Sequence, residues 1–191
     1  MTYPVWVSGG WIEVPVPDMD GEALVVPNVA AIVVADGGRV MLLQRRDKPG
    51  EPVRGKLEVP GGRWRAGEAP DAAVAREIFE EAGITLVTPV DGVQYLETGE
   101  NRAYAVARPV AVINGLDGAY PSLHVLFECV GEGDPRPQPG ETADPRWWPV
   151  AEVEKLLAEQ PEEFVDQTRT MLTAYFSPGV AVSNRGAPRS S

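Results

Sequence analysis

The chain has 191 residues, 43% of them hydrophobic, which is enough for one domain with a substantial core. Its 28 acidic residues against 17 basic ones give a formal charge of −11, which argues against nucleic acid or an anionic membrane as the main partner. The single cysteine, Cys129, excludes an internal disulfide and a cysteine-based zinc site, and no apolar run approaches the length of a membrane span.

In chain order, residues 1–28 are proline-rich with two strand-like pieces, PVWVSGG and WIEVPVP, and predict an N-terminal extension built as a hairpin. No basic segment followed by an apolar stretch opens the chain, so no signal peptide and a cytoplasmic location are expected. A main domain is expected over 29–176. It starts with two strands, VAAIVVA and RVMLLQR, joined by Asp36-Gly37-Gly38, a good hairpin turn. Residues 46–60 read as a polar loop ending in a short strand around LEV. Residues 70–82 (PDAAVAREIFEEA) read as a helix: Pro70 suits the first turn, Asp71 the positive N-terminal end, and Gly83 a C-terminal stop. Strands are predicted at 84–88, 92–97, 104–113 and 122–130, and Cys129 falls in an apolar strand pattern that places it in the core. Residues 131–146 read as a Pro/Gly/acidic loop, followed by helices at 150–159 and 161–176. The small, polar tail 177–191 is expected to be disordered. Strands mixed with few helices predict an α/β fold, a mixed sheet with helices on its faces.

The informative segment runs from Gly62 to Gly83. Gly62, Glu68, Arg76, Glu77, Glu80, Glu81 and Gly83 are separated by five, seven, none, two, none and one residue, and the aliphatics Ile78 and Ile84 follow Glu77 and Gly83. At about 100° per residue, Glu77, Glu80 and Glu81 share an arc of roughly 100° on the helix. Val74, Ile78 and Ala82 lie on an adjoining face that would pack on a sheet. Like charges on one face repel by a few tenths of a kcal/mol per pair, and a hard cation with oxygen ligands would cancel that repulsion. Isolated, EIFEE would read as a solvated acidic face. Its glycine, glutamate and arginine flanks reverse that reading, because seven such matches arise by chance on the order of once in 10⁸ starting positions.

GRWRAGEAPDAAVAREIFEEAGI resembles the Nudix box, Gx5Ex7REUxEExGU with U aliphatic, at every specified position. The resemblance implies an α/β/α sandwich with a mixed sheet. It also implies a metal-dependent hydrolase that cleaves the pyrophosphate of a nucleoside diphosphate linked to another group, or of a nucleoside triphosphate. Mg²⁺ or Mn²⁺ would be held by Glu77, Glu80 and Glu81, joined by the Gly61 carbonyl, with Glu68 supporting the loop or a metal-bound water. Arg76 would orient Glu77 by a charge-assisted hydrogen bond. Glu77 is the residue expected to serve both the metal and the attacking water. The resemblance also allows a homodimer through the N-terminal extension.

The resemblance also implies a further carboxylate from the loop at 131–146, for which Glu141, six residues before Trp147, is the candidate and the alternative base; Glu132 is a weaker one. Glu128 shares a strand face with Leu126 and Val130 and is a third candidate, unless that face is solvated. Arg45, Arg46, Arg54, Lys56, Arg63 and Arg65 precede the helix, and Arg46 and Arg65 are the preferred phosphate contacts. Trp64 is placed either to stack on a base or to cover the helix terminus. Trp6, Trp11, Trp147 and Trp148 read as core or interface residues, and the lone His124 as structural. The expected partner is a phosphorylated small molecule, a nucleotide by the resemblance. Secondary signatures do not narrow it: Thr98 stands where ADP-ribose enzymes commonly carry proline, and Glu100 where dinucleoside polyphosphate enzymes commonly carry tyrosine. A non-catalytic nucleotide-sensing or protein-binding Nudix domain is the alternative. Isopentenyl diphosphate isomerases of the superfamily need a catalytic cysteine and glutamate outside a degenerate box, and Cys129 sits in the wrong part of the chain for that role.

Overall fold

A computed structural model describes residues 2–7, 10–15, 25–87, 90, 92–98, 102–115 and 121–177. The predicted tail lies outside the described residues beyond Ser177, as do the side chains of Trp6 and Trp11. Strands β1 (Thr2–Val7) and β2 (Gly10–Pro15) pair as an antiparallel hairpin.

The central sheet runs in the order β10 (Ala111–Gly115), β11 (Ser122–Glu132), β3 (Val26–Ala35), β4 (Val40–Arg46), β12 (Thr142–Pro149). β11 and β3 are parallel and the other pairs antiparallel, so the sheet is mixed. Three short strands extend it: β5 (Leu57–Glu58) on β4, β6 (Gly61–Arg63) on β3 and β7 (Thr85–Leu86) on β11. A separate hairpin joins β8 (Gln94–Thr98) to β9 (Arg102–Val106).

β3 shows why the sheet is covered on both sides. Val29, Ala31 and Val33 pack toward helix α1 (Pro70–Ala82) with Val74, Ile78, Phe127 and Cys129. Ala30, Ile32 and Val34 pack the other way, against Val153 of α2 (Val150–Glu159) and Met171 and Leu172 of α3 (Asp166–Phe176). A strand buried on both faces reads as a continuous apolar run rather than an alternation. The result is the expected α/β/α sandwich, and α1 has the expected bounds, with Pro70 at its start and Gly83 at φ 66° as its left-handed C-cap.

Three elements differ from the sequence reading. The strand expected over 104–113 is two, because Arg108 turns its N–H to the Gly92 carbonyl and Pro109 has none to give. The loop expected over 131–146 is shorter, since β11 continues to Glu132 and β12 starts at Thr142, with a bulge between Ala143 and Arg146 where Asp144 takes φ 46°. The helix expected from 161 is a 3₁₀ turn at Pro161–Glu163 followed by extended Phe164 and Val165; Val165 N–H bonds the Leu57 carbonyl and Phe164 is fully buried. That bridge ties β5 to the start of α3.

Candidate active site

The box wraps one end of the sheet. β6 carries Gly61 and Gly62 along β3, and the loop after it returns to α1. Both glycines are required by close approach. A methyl at Gly62 would sit on the Glu77 carboxylate, 2.6 Å from its Cδ, and one at Gly61 would lie 2.5 Å from the Val29 carbonyl oxygen. The backbone therefore lies directly against the carboxylates.

Arg76 organises the helix side. Its Nε and Nη2 form a two-pronged pair with Glu68 at 2.7 and 2.9 Å, its Nη1 reaches Glu77 Oε1 at 2.5 Å and Glu80 Oε2 at 3.2 Å, and Nη2 also donates to the Arg63 carbonyl. Glu68 also accepts the Arg65 N–H, and the Arg76 hydrogen bonds hold its carboxyl below the usual range. Glu77 is raised by burial, against the pull of Arg76.

Glu81 is the deepest carboxylate, 3% exposed. Its Oε2 accepts the Gly61 N–H at 3.0 Å and the side-chain amide of Gln44 at 2.7 Å. Thr142 of β12 donates its hydroxyl to the Glu81 carbonyl at 2.7 Å and pins this end of α1. Burial raises Glu81, and the neighbouring Glu58 carboxylate adds to that. Glu58 on β5 is raised in the same way, by burial first.

Arg46 is held by Glu51 through two bonds, at 2.6 and 3.1 Å, and reaches Glu58 Oε2 at 3.2 Å. Arg65 is exposed, 3.7 Å from Glu80. Trp64 covers rather than stands out: its ring packs on the α1-side core and its Nε1 donates to the Glu68 carbonyl. Glu141 places its carboxylate 3.5 Å from Lys48. Arg45 bonds the Gly55 carbonyl and Arg54 bonds Asp47. Glu128 is a correction: it is exposed on the α2/α3 side of the sheet and accepts the Tyr175 hydroxyl, so it does not face α1. Gln44 and Glu58 were missed by sequence reasoning, although a lone carboxylate inside the strand LEV was a signal.

A cavity of about 460 Å³ adjoins the box glycines and is lined by Asn28, Arg46, Lys48, Arg63, His124 and Thr168 among others. His124 is half-buried within reach of Ser122 Oγ, and burial lowers its pKa.

Among the described residues no three acidic side chains already converge as a metal shell, and Arg76 holds both Glu77 and Glu80. The donor chemistry nonetheless fits a hard divalent cation. The groups are all oxygens, and one buried carboxylate oxygen, Glu58 Oε1, and the Gln44 Oε1 beside it have no hydrogen-bond partner.

The NUDIX domain family matches residues 25–168, and the chain belongs to that family. It is 40% identical over 57 residues to a MutT-like protein of Streptomyces ambofaciens and 38% identical over 60 residues to an 8-oxo-dGTP diphosphatase of Haemophilus influenzae, matches that span 33% and 43% of those proteins and 30% and 31% of this chain. It is 28% identical over 181 residues to an isopentenyl-diphosphate Delta-isomerase of Cereibacter sphaeroides, 90% of each chain. Its fold is similar to that of a MutT protein of Methanosarcina mazei, with a TM-score of 0.60 at 21% identity over 82% of this chain and 96% of that one.

Proposed function

We propose that the chain is a Mg²⁺- or Mn²⁺-dependent hydrolase of a pyrophosphate bond in a nucleoside diphosphate-X or nucleoside triphosphate. The observation that carries this reading is the burial of Glu77 and Glu81 against the Gly61–Gly62 backbone, with a third buried carboxylate, Glu58, beside Glu81. The diphosphatase named among the relatives supports it. Glu77, Glu80, Glu81 and the Gly61 carbonyl would hold the cation, and Glu68 would support them through Arg76. When bound, a divalent cation neutralises pyrophosphate oxygens and lowers the pKa of a water.

The chain's own residues do the rest. Arg76 occupies Glu77 Oε1 and fixes the carboxylate, leaving Oε2 toward Gly62 to accept the proton of the attacking water. A carboxylate raised by burial is better matched to that task near neutral pH than an exposed one. Arg46 and Arg65 would meet the leaving phosphate, Arg46 on opening its clasp with Glu51 and Arg65 from its exposed position near Glu80. Trp64 holds the loop that carries Glu68. Glu141 is the alternative proton acceptor.

The test is phosphate release from triphosphates, ADP-ribose, nucleotide sugars, coenzyme A and dinucleoside polyphosphates with Mg²⁺, beside Glu77→Gln and with coupling pyrophosphatase and phosphatase. Metal-dependent turnover lost in the variant supports the reading. No turnover on any member, with metal bound, favours a nucleotide-sensing or protein-binding domain.

The isomerase match, nine-tenths of both chains, favours a second reading as an isomerase of isopentenyl diphosphate. Against it, the only thiol of the chain, Cys129, is 3% exposed within the α1-side core. Isopentenyl diphosphate incubated with the protein and Mg²⁺ separates the two readings by its product: isomer, phosphate or neither.

A further inference from the structure

β5 is two residues long, yet it brings a carboxylate into the site from the sheet. Glu58 stands opposite Gln44 of β4. Leu57 and Val59 point into the α2/α3 core, so Glu58 turns to the α1 face, where it is 6% exposed beside a fully buried Gln44.

The partners of this pair are incomplete. Glu58 Oε2 accepts from Arg46 at 3.2 Å, and the Gln44 amide and Lys48 also favour the Glu58 charge, while Arg46 makes its two shorter bonds to Glu51. Glu58 Oε1 takes none. Gln44 gives its amide N–H to Glu81, and its own carbonyl oxygen takes none. A buried carboxylate with one oxygen unpartnered is poorly compensated, and an apolar residue would serve the fold at less cost. Two unpartnered oxygens on facing strand positions, next to Glu81 and the Gly61 backbone, form a donor set for a hard cation rather than for another protein hydrogen bond.

We propose that Glu58 is a further cation-holding residue, contributed by the sheet from outside the box, and that Gln44 steers Glu81 toward the same point. The site then joins sheet to helix, with Glu58 contributed by β5 and Glu77, Glu80 and Glu81 by α1. The proposal rests on the metal-dependent reading above, and its test separates the two.

Mn²⁺ is titrated by calorimetry into the full chain, into Glu58→Gln, into Glu81→Gln and into Glu154→Gln, an exposed charge control on α2. The melting temperature of each is read with and without Mn²⁺. The expected result is that Glu58→Gln weakens Mn²⁺ by about 10-fold or more and shrinks the Mn²⁺-induced rise in Tm. Its metal-free Tm is unchanged or higher, because a neutral amide of the same shape replaces a buried carboxyl group with an unpartnered oxygen. Glu154→Gln binds as the wild type does. Should Glu58→Gln fail to fold, Glu58→Asp keeps the charge on a shorter arm and is read the same way. Mn²⁺ affinity within twofold of wild type in the Glu58 variant, with Glu81→Gln weakened, overturns the role of Glu58 and leaves the metal reading standing. No Mn²⁺ binding by the wild-type chain overturns both.

Discussion

Both faces of the central sheet are closed by helices, but they bury different things. On the α2/α3 face the core runs from Ile32 and Leu43 to Phe164, Met171 and Leu172 and buries no carboxylate among the described residues, its buried polar side chain being Thr168, which accepts the Val59 N–H. On the α1 face the apolar cluster of Val74, Ile78 and Ala82 gives way to Glu77, Glu81, Glu58 and Gln44. Buried carboxylates cost several kcal/mol each unless compensated, and the compensation in place is Arg76 on Glu77, Arg46 on Glu58, and one backbone N–H and one amide on Glu81. A fold does not need that expense for stability. One face is support, and on the proposed reading the other would be completed by a cation.

The largest expected effect breaks the α1 face. Glu81→Gln lowers kcat by about 10³-fold or more, the scale on which losing one member of a catalytic constellation registers. It leaves the metal-free fold intact, since burial already favours the neutral form of Glu81 and an amide is a neutral group of the same shape. Steady-state kinetics with Mg²⁺ beside thermal unfolding checks both halves, and wild-type turnover would remove this face from the site. The mirror experiment is Phe164→Ala, which empties a fully buried position on the other face. It costs about 3–5 kcal/mol in urea unfolding, while kcat per folded molecule stays near wild type. A kcat loss as large as that of Glu81→Gln would show that the supporting face is part of the site.

A smaller effect appears on titration. Glu58 and Glu81 are raised above the ordinary 4.5, so the native metal-free chain keeps protons there that the unfolded chain has released. Above pH 4.5 the unfolded state binds fewer protons, and stability falls as pH rises toward the folded-state values, by about 1.4 kcal/mol per pH unit for one group. Unfolding by urea from pH 5 to 8 checks the slope. Glu81→Gln flattens it, and so does Mn²⁺ on the site reading. A metal-free stability that climbs over the same range would contradict the burial of uncompensated carboxylates.

These regions also differed in how much of them the sequence made legible. α1 could be read to the residue because its signals are local: Pro70, Gly83 and the carboxylate spacing lie within one helix. The hairpin of β3 and β4 was readable for the same reason, through Asp36-Gly37-Gly38. β12 was hidden because Asp144 and Pro145 read as loop, and only pairing with β4 across a bulge holds them in a strand. The break at Phe164 was hidden because its cause is Leu57, far away in sequence. Gln44 and Glu58 belong with these: each lies in an ordinary apolar strand, and only the β4–β5 register brings them to Glu81. What a helix writes in one stretch can be read there, and what a sheet assembles from several strands cannot.

The smallest expected effect concerns Glu141. The Nudix resemblance makes it the expected alternative base, because a loop in this region of Nudix proteins frequently supplies a further carboxylate. β12 does bring its neighbour Thr142 to Glu81, but the Glu141 carboxylate is 38% exposed and pairs with Lys48 at 3.5 Å. An exposed pair of this kind is worth about 0–1 kcal/mol, so Glu141→Gln leaves stability nearly unchanged. As a partner of Lys48 alone, it lowers kcat less than about 10-fold; general-base work would show as 10²–10⁴-fold. The pH profile divides the cases further. Loss of the acidic limb in Glu141→Gln would assign the base to Glu141, whereas a limb kept there and lost in Glu77→Gln assigns the proton to Glu77, the carboxylate that Arg76 already holds in place.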